Sequence, residues 1–354
     1  MNKFSSLEVK SIKRLTLDSV AITFDSLDKN FDFIPGQYIT IKHIINDNEV
    51  RRSYSISSLP GKNIEIGVKL VKNGLMSTYL TKELKEGDSL EVMPPTGNFY
   101  LETDSSNTKH YVGICAGSGI TPVLSMIRQV LNNESDSEFT LIYGNKNTGS
   151  IMFAEELQLL EQNFQSQFFV HYAFSREDVD SCINGRIDKD TLKYLFEKEL
   201  DINELNSFYI CGPGDMIDSA DVFLQEKNIS TNNINFERFT ASSVGLNDSN
   251  SIEQKVEKDN ITSALMVTVD GDDFEFSLES NGKSILDAAM EEGADVPFSC
   301  KGGVCCVCKA KVIEGEVIMD QNFSLSDDEV NEGFILSCQA HPVSKIVKVD
   351  FDEI

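Results

Sequence analysis

The sequence predicts a multidomain β and α/β chain: an antiparallel β-barrel, an α/β domain on a parallel sheet, and a small acidic domain carrying a cysteine cluster. Three observations carry this reading. Short β-rich runs separated by turn signals fill the first hundred residues, and strands then alternate with helices to about residue 240. After an aperiodic stretch, four of the chain's eight cysteines crowd into positions 300 to 308, "CKGGVCCVC". A chain of 354 residues has room for two or three domains, and 40% hydrophobic content is enough to build their cores.

Residues 1–103 are expected to form the barrel. The runs "SVAITFDS", "QYITIKHI", "NIEIGVKLV" and "DSLEVMPP" alternate or carry β-branched residues, and Pro35-Gly36, Pro60-Gly61 and Gly87-Asp88 mark turns. Short strands at this spacing suit a small antiparallel barrel. "MSTYLTKEL" is the one helix candidate. Residues 104–240 change rhythm. "HYVGICAGSGITPVLSMIRQVLNN" reads strand, glycine turn, helix, and "SFYICGPGDMIDSADVFLQEKN" repeats it. Between them "EFTLIYGNKN" and "QFFVHYAFS" read as strands, "IMFAEELQLLEQNF" and "DKDTLKYLFEKEL" as helices. Such alternation indicates a parallel sheet covered on both faces.

Residues 241–262 lack hydrophobic periodicity and read as a linker. The third domain, 263–354, holds 19 Asp/Glu against 6 Lys/Arg, a net of −13, which is half the chain's −26 on a quarter of its length. That acidity argues against nucleic-acid binding, because phosphates need a basic face. The N-terminal stretch lacks the apolar core of a signal peptide, and no run of 18 apolar residues occurs, so no membrane partner is expected. The expected compartment is a reducing cytoplasm, where clustered cysteines bind metal more often than they pair.

Cys300, Cys305 and Cys308 form C-x4-C-x2-C, and Cys338 follows after 29 residues. This is the plant-type [2Fe–2S] spacing: three thiolates from one tight loop and a fourth from a distant segment. Gly302 and Gly303 let the loop wrap closely, so backbone N–H groups can face the sulfurs. A structural zinc site is the alternative, but zinc usually takes two short Cys pairs, or Cys with His. The four histidines, His43, His110, His171 and His341, are scattered. His341 is expected to be a surface turn residue before Pro342, Cys306 a packing residue between ligands, and Cys115 and Cys182 ordinary thiols. The run "KSILDAAMEEGADVPFSCKGGVCCVCKAKVIEGEV" resembles plant-type ferredoxins, which implies a β-grasp fold and Cys300, Cys305, Cys308 and Cys338 as cluster ligands.

"RRSYSISS" followed by "GVKLVKNGLMSTYL" resembles the flavin barrel of the ferredoxin–NADP reductase superfamily. The resemblance implies FAD, with FMN the other flavin that such barrels hold. It places Arg52 on the pyrophosphate, Tyr54 on the isoalloxazine ring and Ser55 near the ring's reactive nitrogen, with Ser53 between them. Val68, Leu70, Gly74, Met76 and Ser77 are the matching positions of the second element, where free helix N–H groups meet the pyrophosphate. Taken alone, Tyr54 also reads as an ordinary strand aromatic.

"AGSGITP" and "YICGPGDM" resemble the two nucleotide turns of the same superfamily. The resemblance implies nicotinamide binding by Gly117, Ser118, Gly119, Thr121 and Pro122 in the first turn, and by Cys211, Gly212 and Pro213 in the second. Cys211 would border the nicotinamide, though a small buried core residue is its other reading. Ser175 and Arg176 stand where NADP-using members hold the 2′-phosphate, which implies NADPH, with NADH the alternative. Phe239, in "NFERFTAS", is the candidate aromatic over the flavin face; a plain core Phe is its other reading.

The three units make one electron path. A nicotinamide delivers two electrons as hydride, a [2Fe–2S] centre takes one at a time, and a flavin manages both. Tyr54, Ser55 and Cys211 are the residues expected nearest the reacting ring. The domain order resembles reductase components of multicomponent oxygenases. "SCKGGVCCVCKAKVIEGEVIMDQNFSLSDDEVNEGFILSCQAHP" looks particularly like the reductase subunits of phenylacetyl-CoA epoxidase complexes. That implies delivery to a di-iron oxygenase acting on an aromatic acyl-CoA. Delivery to a hydroxylase, a desaturase or a hybrid-cluster protein, or a redox carrier or sensor that does not turn over, are the other readings.

Overall fold

The computed structural model describes residues 4–27, 31–239 and 260–353. They fall into two compact units, one ending at Phe239 and one resuming at residue 260. Among the described residues no helix is long and apolar enough to cross a membrane.

The first unit begins with six strands, β1 (Ser5–Thr16), β2 (Ser19–Phe24), β3 (Tyr38–Ile45), β4 (Asn48–Ser55), β5 (Glu65–Lys69) and β6 (Ser89–Val92), and one helix, α1 (Leu75–Lys82). All pairings are antiparallel, in the order β4-β3-β6-β1-β2-β5. A bridge between Ile56 and Ile66 joins the end of β4 to β5 and closes the barrel. β1 alternates, with Leu7 and Val9 buried and Glu8 and Lys10 facing out, whereas β2 is buried along almost its whole length. The β3–β4 turn is two residues, Asn46 and Asp47, both at positive φ, the chemistry a tight hairpin demands.

The same unit continues into a six-stranded parallel sheet of β7 (His110–Ala116), β8 (Glu138–Asn145), β9 (Phe168–Phe174), β10 (Ile183–Asn184), β11 (Ser207–Gly212) and β12 (Ile234–Arg238), ordered β10-β9-β8-β7-β11-β12. Helices α2 (Ile120–Asn133) and α3 (Ala154–Asn163) cover one face, and α4 (Lys189–Lys198) and α5 (Gly214–Glu226) the other. The strand order reverses between β7 and β11, which opens a crevice at their carboxyl ends. Ala21, Phe99 and Leu101 share a core with α2, so the barrel and the sheet are packed together.

The second unit holds a five-stranded mixed sheet of β13 (Thr262–Val269), β14 (Asp272–Glu279), β15 (Lys309–Glu314), β17 (Phe334–Leu336) and β19 (Ile346–Asp350), ordered β14-β13-β19-β15-β17. A small ribbon pairs β16 (Val317–Met319) with β18 (Ala340–Pro342), and α6 (Ile285–Glu291) and the short α7 (Asp327–Asn331) complete the unit. This is the β-grasp arrangement, with α6 packed on the sheet through Ile285, Leu286 and Ala289. The expected linker lies outside the described residues as far as 259. Thr262, assigned to it by sequence, pairs with Glu279 in the first strand of this unit.

Candidate functional site

The flavin-facing candidates gather on β4, β5 and the start of α1. Arg52 and Tyr54 alternate onto one face of β4, and Ser53 and Ser55 onto the other. Arg52 is exposed, its guanidinium donating to the Arg51 carbonyl at 2.6 Å. Burial raises the Tyr54 hydroxyl pKa far above the ordinary phenol range, opposed by the neighbouring Arg52 charge. Val68 is fully buried and Leu70 half-buried, so Val68 supports the site from the barrel core. Gly74 starts α1 without a side-chain cap, and its backbone is extended, leaving helix N–H groups for a ligand. Met76 is buried, and Ser77 Oγ takes the Val71 N–H at 3.1 Å, folding the preceding loop onto the helix. An exposed cation beside an uncapped helix start fits a bound pyrophosphate.

The nicotinamide candidates lie at the crevice. Gly117 has φ +56°, which glycine adopts freely, and the space beyond its Cα is open. Its carbonyl accepts the Tyr143 hydroxyl from β8 at 2.9 Å, and Thr121 Oγ1 donates to the Ser118 carbonyl at 3.0 Å. Gly119 is a matter of space: a Cβ there would lie 2.0 Å from the Cys211 carbonyl oxygen. The two glycine turns therefore touch backbone to backbone, with Gly212 and Pro213 opening α5 and Pro122 buried in the first turn of α2. Neither helix has a side-chain cap, so both starts present N–H groups to the crevice.

Glu237, which sequence reasoning passed over, joins the two halves. Ser55 Oγ donates to its carboxylate at 3.1 Å across 182 residues of chain. Glu237 is Cys211's register partner on β12. Burial pushes the Glu237 pKa up to about 8, opposed by the Ser55 hydrogen bond. Cys211 is fully buried in the core, and burial, with Glu237 adding to it, pushes its thiol well above the usual range. It is a packed thiol, not a thiolate. The one sequence signal for Glu237 is an acid between Phe236 and Arg238 in the strand-like run "INFERF". Phe239 is 39% exposed, so it is not a core residue.

Ser175 and Arg176 leave the end of β9, tied to the end of β8 through Ser175 N–H to the Asn145 carbonyl (3.0 Å) and Arg176 N–H to the Lys146 carbonyl (2.9 Å). Both side chains are exposed, and so is that of Lys146. Glu177 is turned back onto the Thr148 N–H at 2.6 Å, so this acid is engaged within the protein.

In the second unit the four cluster candidates converge as two pairs. Cys305 Sγ lies 3.1 Å from Cys300 Sγ, and Cys308 is hydrogen-bonded to Cys338. Cys300 is half-buried and the other three are buried. The Cys300 thiol is drawn down to about 5, chiefly by the Cys305 thiol and then, against burial, by backbone N–H groups of Gly302, Val304 and Cys305. Cys305 and Cys308 are the donors of their pairs, and with burial this raises them. Two sulfur pairs surrounded by backbone donors fit a four-thiolate [2Fe–2S] centre. Cys306 turns aside, its Sγ 3.4 Å from the Ser324 carbonyl oxygen. His341 differs from expectation. It sits in β18, paired with Ile318, with its side chain only 14% exposed and Nε2 3.1 Å from Asp320. The proline after it does not end a turn here, because Pro342 occupies the last place of an edge pairing.

Known protein families match three successive parts of the chain. An oxidoreductase FAD-binding domain family matches residues 6–100, an oxidoreductase NAD-binding domain family 114–221, and a 2Fe-2S iron–sulfur cluster binding domain family 267–343. The chain is 39% identical to one of the subunits of 1,2-phenylacetyl-CoA epoxidase of Escherichia coli (strain K12), over 99% of both chains. It is 30% identical to the ferredoxin reductase component of 3-ketosteroid-9-alpha-monooxygenase of Rhodococcus rhodochrous, over 98% of this chain and 96% of that one. The fold matches the solved structure of phthalate dioxygenase reductase with a TM-score of 0.60 at 23% identity, covering 98% of each chain.

Proposed function

Because this chain belongs to the iron–sulfur flavoprotein reductases, the family of its 1,2-phenylacetyl-CoA epoxidase relative, we propose that its electron acceptor is a di-iron epoxidase component acting on phenylacetyl-CoA. The chain is an NAD(P)H oxidoreductase that serves an oxygenase system. A bound FAD would supply the link between a nicotinamide and a one-electron cluster, because a flavin can take the two electrons of one hydride and pass them on singly.

Around it, the protein's residues position and insulate. Arg52 and the α1 start would hold the pyrophosphate and Tyr54 would pack on the ring, with Ser55 oriented by its hydrogen bond to Glu237. The glycine turns would hold the nicotinamide nucleotide, and Cys300, Cys305, Cys308 and Cys338 would hold the cluster. The observation that carries the acceptor is similarity to the epoxidase protein over its full length, cluster domain included. The test is turnover: NADPH oxidation with the purified oxygenase component should couple to consumption of phenylacetyl-CoA. A reductase that reduces ferricyanide yet drives no epoxidation, while supporting a steroid or betaine oxygenase, would move it to another acceptor.

NADPH is the preferred donor in this reading. Arg176 and Lys146 set two exposed cations at the ends of β9 and β8, suited to a 2′-phosphate, and Glu177 is withdrawn from a ribose hydroxyl. Arg176→Ala should lower the NADPH-to-NADH ratio of kcat/KM at least tenfold. An unchanged ratio, or a wild-type preference for NADH, reverses the assignment. The cytoplasm is the compartment this chemistry implies.

A further inference from the structure

Gln339 follows the fourth cluster cysteine in "SCQAHP", where sequence reasoning assigned it no role of its own. Its Nε2 lies 3.2 Å from the Lys301 carbonyl oxygen, 3.0 Å from the Cys338 carbonyl oxygen and 3.8 Å from Cys338 Sγ. All three neighbours are acceptors. The carboxamide therefore has one admissible orientation, because a flip would press Oε1 against two carbonyl oxygens and a sulfur. Two amide hydrogens serve three acceptors, one of them 38 residues away in the three-cysteine loop.

That loop has a conformation in need of support. Lys301 has φ +50° and Gly303 φ +71°, both in the left-handed region, and Lys301 is not glycine. Gln339 Cγ lies over Gly303, at 3.3 Å from where a Cβ would stand. Elsewhere on the loop the Lys301 ammonium pairs with Asp287 of α6 at 2.7 Å and sits 4.6 Å from the Phe298 ring centroid. These side-chain ties, to α6 by Lys301 and to the fourth-ligand segment by Gln339, add to the backbone bond from Phe323 N–H to the Gly303 carbonyl.

We propose that Gln339 is a positioning residue for the cluster: its carboxamide clips the three-cysteine loop to the fourth-ligand segment and, through its hydrogen bond to the Cys338 sulfur, raises the reduction potential. The physical reason is charge. Reduction adds an electron to a thiolate-bound centre, and a donor on a ligating sulfur stabilises the more negative state. This rests on the four-cysteine reading of the cluster.

The test is a redox titration of the full-length holoprotein monitored by electron paramagnetic resonance. Gln339→Met keeps length and packing and removes the donor. It should lower the reduced-to-oxidised ratio at a fixed poise about tenfold, equal to about 59 mV for a one-electron couple. Gln339→Glu replaces the donor with a charged acceptor and should shift it further the same way. A cluster that assembles in Gln339→Met with its potential and spectrum unmoved overturns the proposal. If neither variant assembles a cluster, the wild type decides. With glutamine labelled at the side-chain nitrogen, spin-echo spectra of the reduced cluster should contain a weakly coupled nitrogen, and its absence overturns the proposal. A wild-type chain with no [2Fe–2S] spectrum at all would instead sink the four-cysteine reading.

Discussion

Glu237 brings a buried titratable carboxyl against Ser55. Its folded pKa is pushed from 4.5 up to about 8 by burial, so at neutral pH the side chain beside Ser55 is uncharged. In the proposed function Ser55 faces the flavin, so ionisation of Glu237 as the pH rises through about 8 would oppose the negative charge that flavin reduction adds. Flavin reduction by NADPH should therefore be fast below pH 8 and fall above it. Glu237→Gln should flatten that fall, checked by stopped-flow absorbance across the range; a profile that keeps it would assign the ionisation to another group. Linkage has the same sign. The raised folded value makes this contribution to stability full below about 4.5 and lost as the pH climbs through about 8. At the cluster, Cys305→Ser should abolish the visible [2Fe–2S] spectrum and Cys306→Ser should leave it intact, since only Cys305 faces another ligand sulfur. Three of the cysteines were legible in the sequence because their spacing is local. Glu237 was not, because an acid in a strand acquires its role only from what the fold sets against it.

Among the elements, α2 has two duties. Its first turn borders the nucleotide crevice, and its middle braces the barrel. Ser125 Oγ donates to the Ser58 carbonyl at 2.7 Å, and Arg128 bonds the Ser57 carbonyl, Glu65 at 3.1 Å and Glu156 of α3 at 2.6 Å. These carbonyls lie just beyond β4, so the strand carrying Arg52 to Ser55 is tied to the helix that carries Thr121. The approach is close enough to require glycine: a Cβ on Gly67 of β5 would lie 2.6 Å from Thr121 Cγ2. Arg128→Ala removes the cation shared by Glu65, Glu156 and the Ser57 carbonyl in a partly buried setting, leaving Glu65 with the Ser57 hydroxyl. It should cost about 2 kcal/mol, as charged hydrogen bonds do, read as a lower urea midpoint. It should also slow hydride transfer at saturating NADPH, because the two rings are no longer held in register; loss of stability alone would reduce α2 to a structural brace. The glycine turns were readable as strand–turn–helix patterns. The brace was not, since Arg128 looks like any exposed helical arginine until the barrel is placed beside it.

For the whole molecule, charge and topology set what the chain does with its partners. The iron–sulfur unit carries a net of −13 over 263–354. Five of its six lysines are already spent in internal pairs, Lys283 with Glu291, Lys301 with Asp287, Lys309 with Glu329, Lys311 with Glu353 and Lys348 with Glu314. The acidic surplus is left to the surface, suited to a basic docking face. Raising ionic strength from 0.05 to about 0.3 M, where the screening length is well below 10 Å, should depress reduction of the protein acceptor several-fold more than reduction of ferricyanide. Equal loss in both assays would refute electrostatic docking. The sequence by itself pointed to the order of the flavin, nicotinamide and [2Fe–2S] domains and to three of the four candidate thiolates, because each is written in short-range spacing: β alternation, strand–glycine–helix turns and C-x4-C-x2-C. Only the tertiary structure decided that Glu237 meets Ser55, that Arg128 locks the barrel to α2, and that Gln339 reaches Lys301. Those contacts join residues 38 to 182 positions apart, and side chains so distant meet only where strand order and packing bring them together.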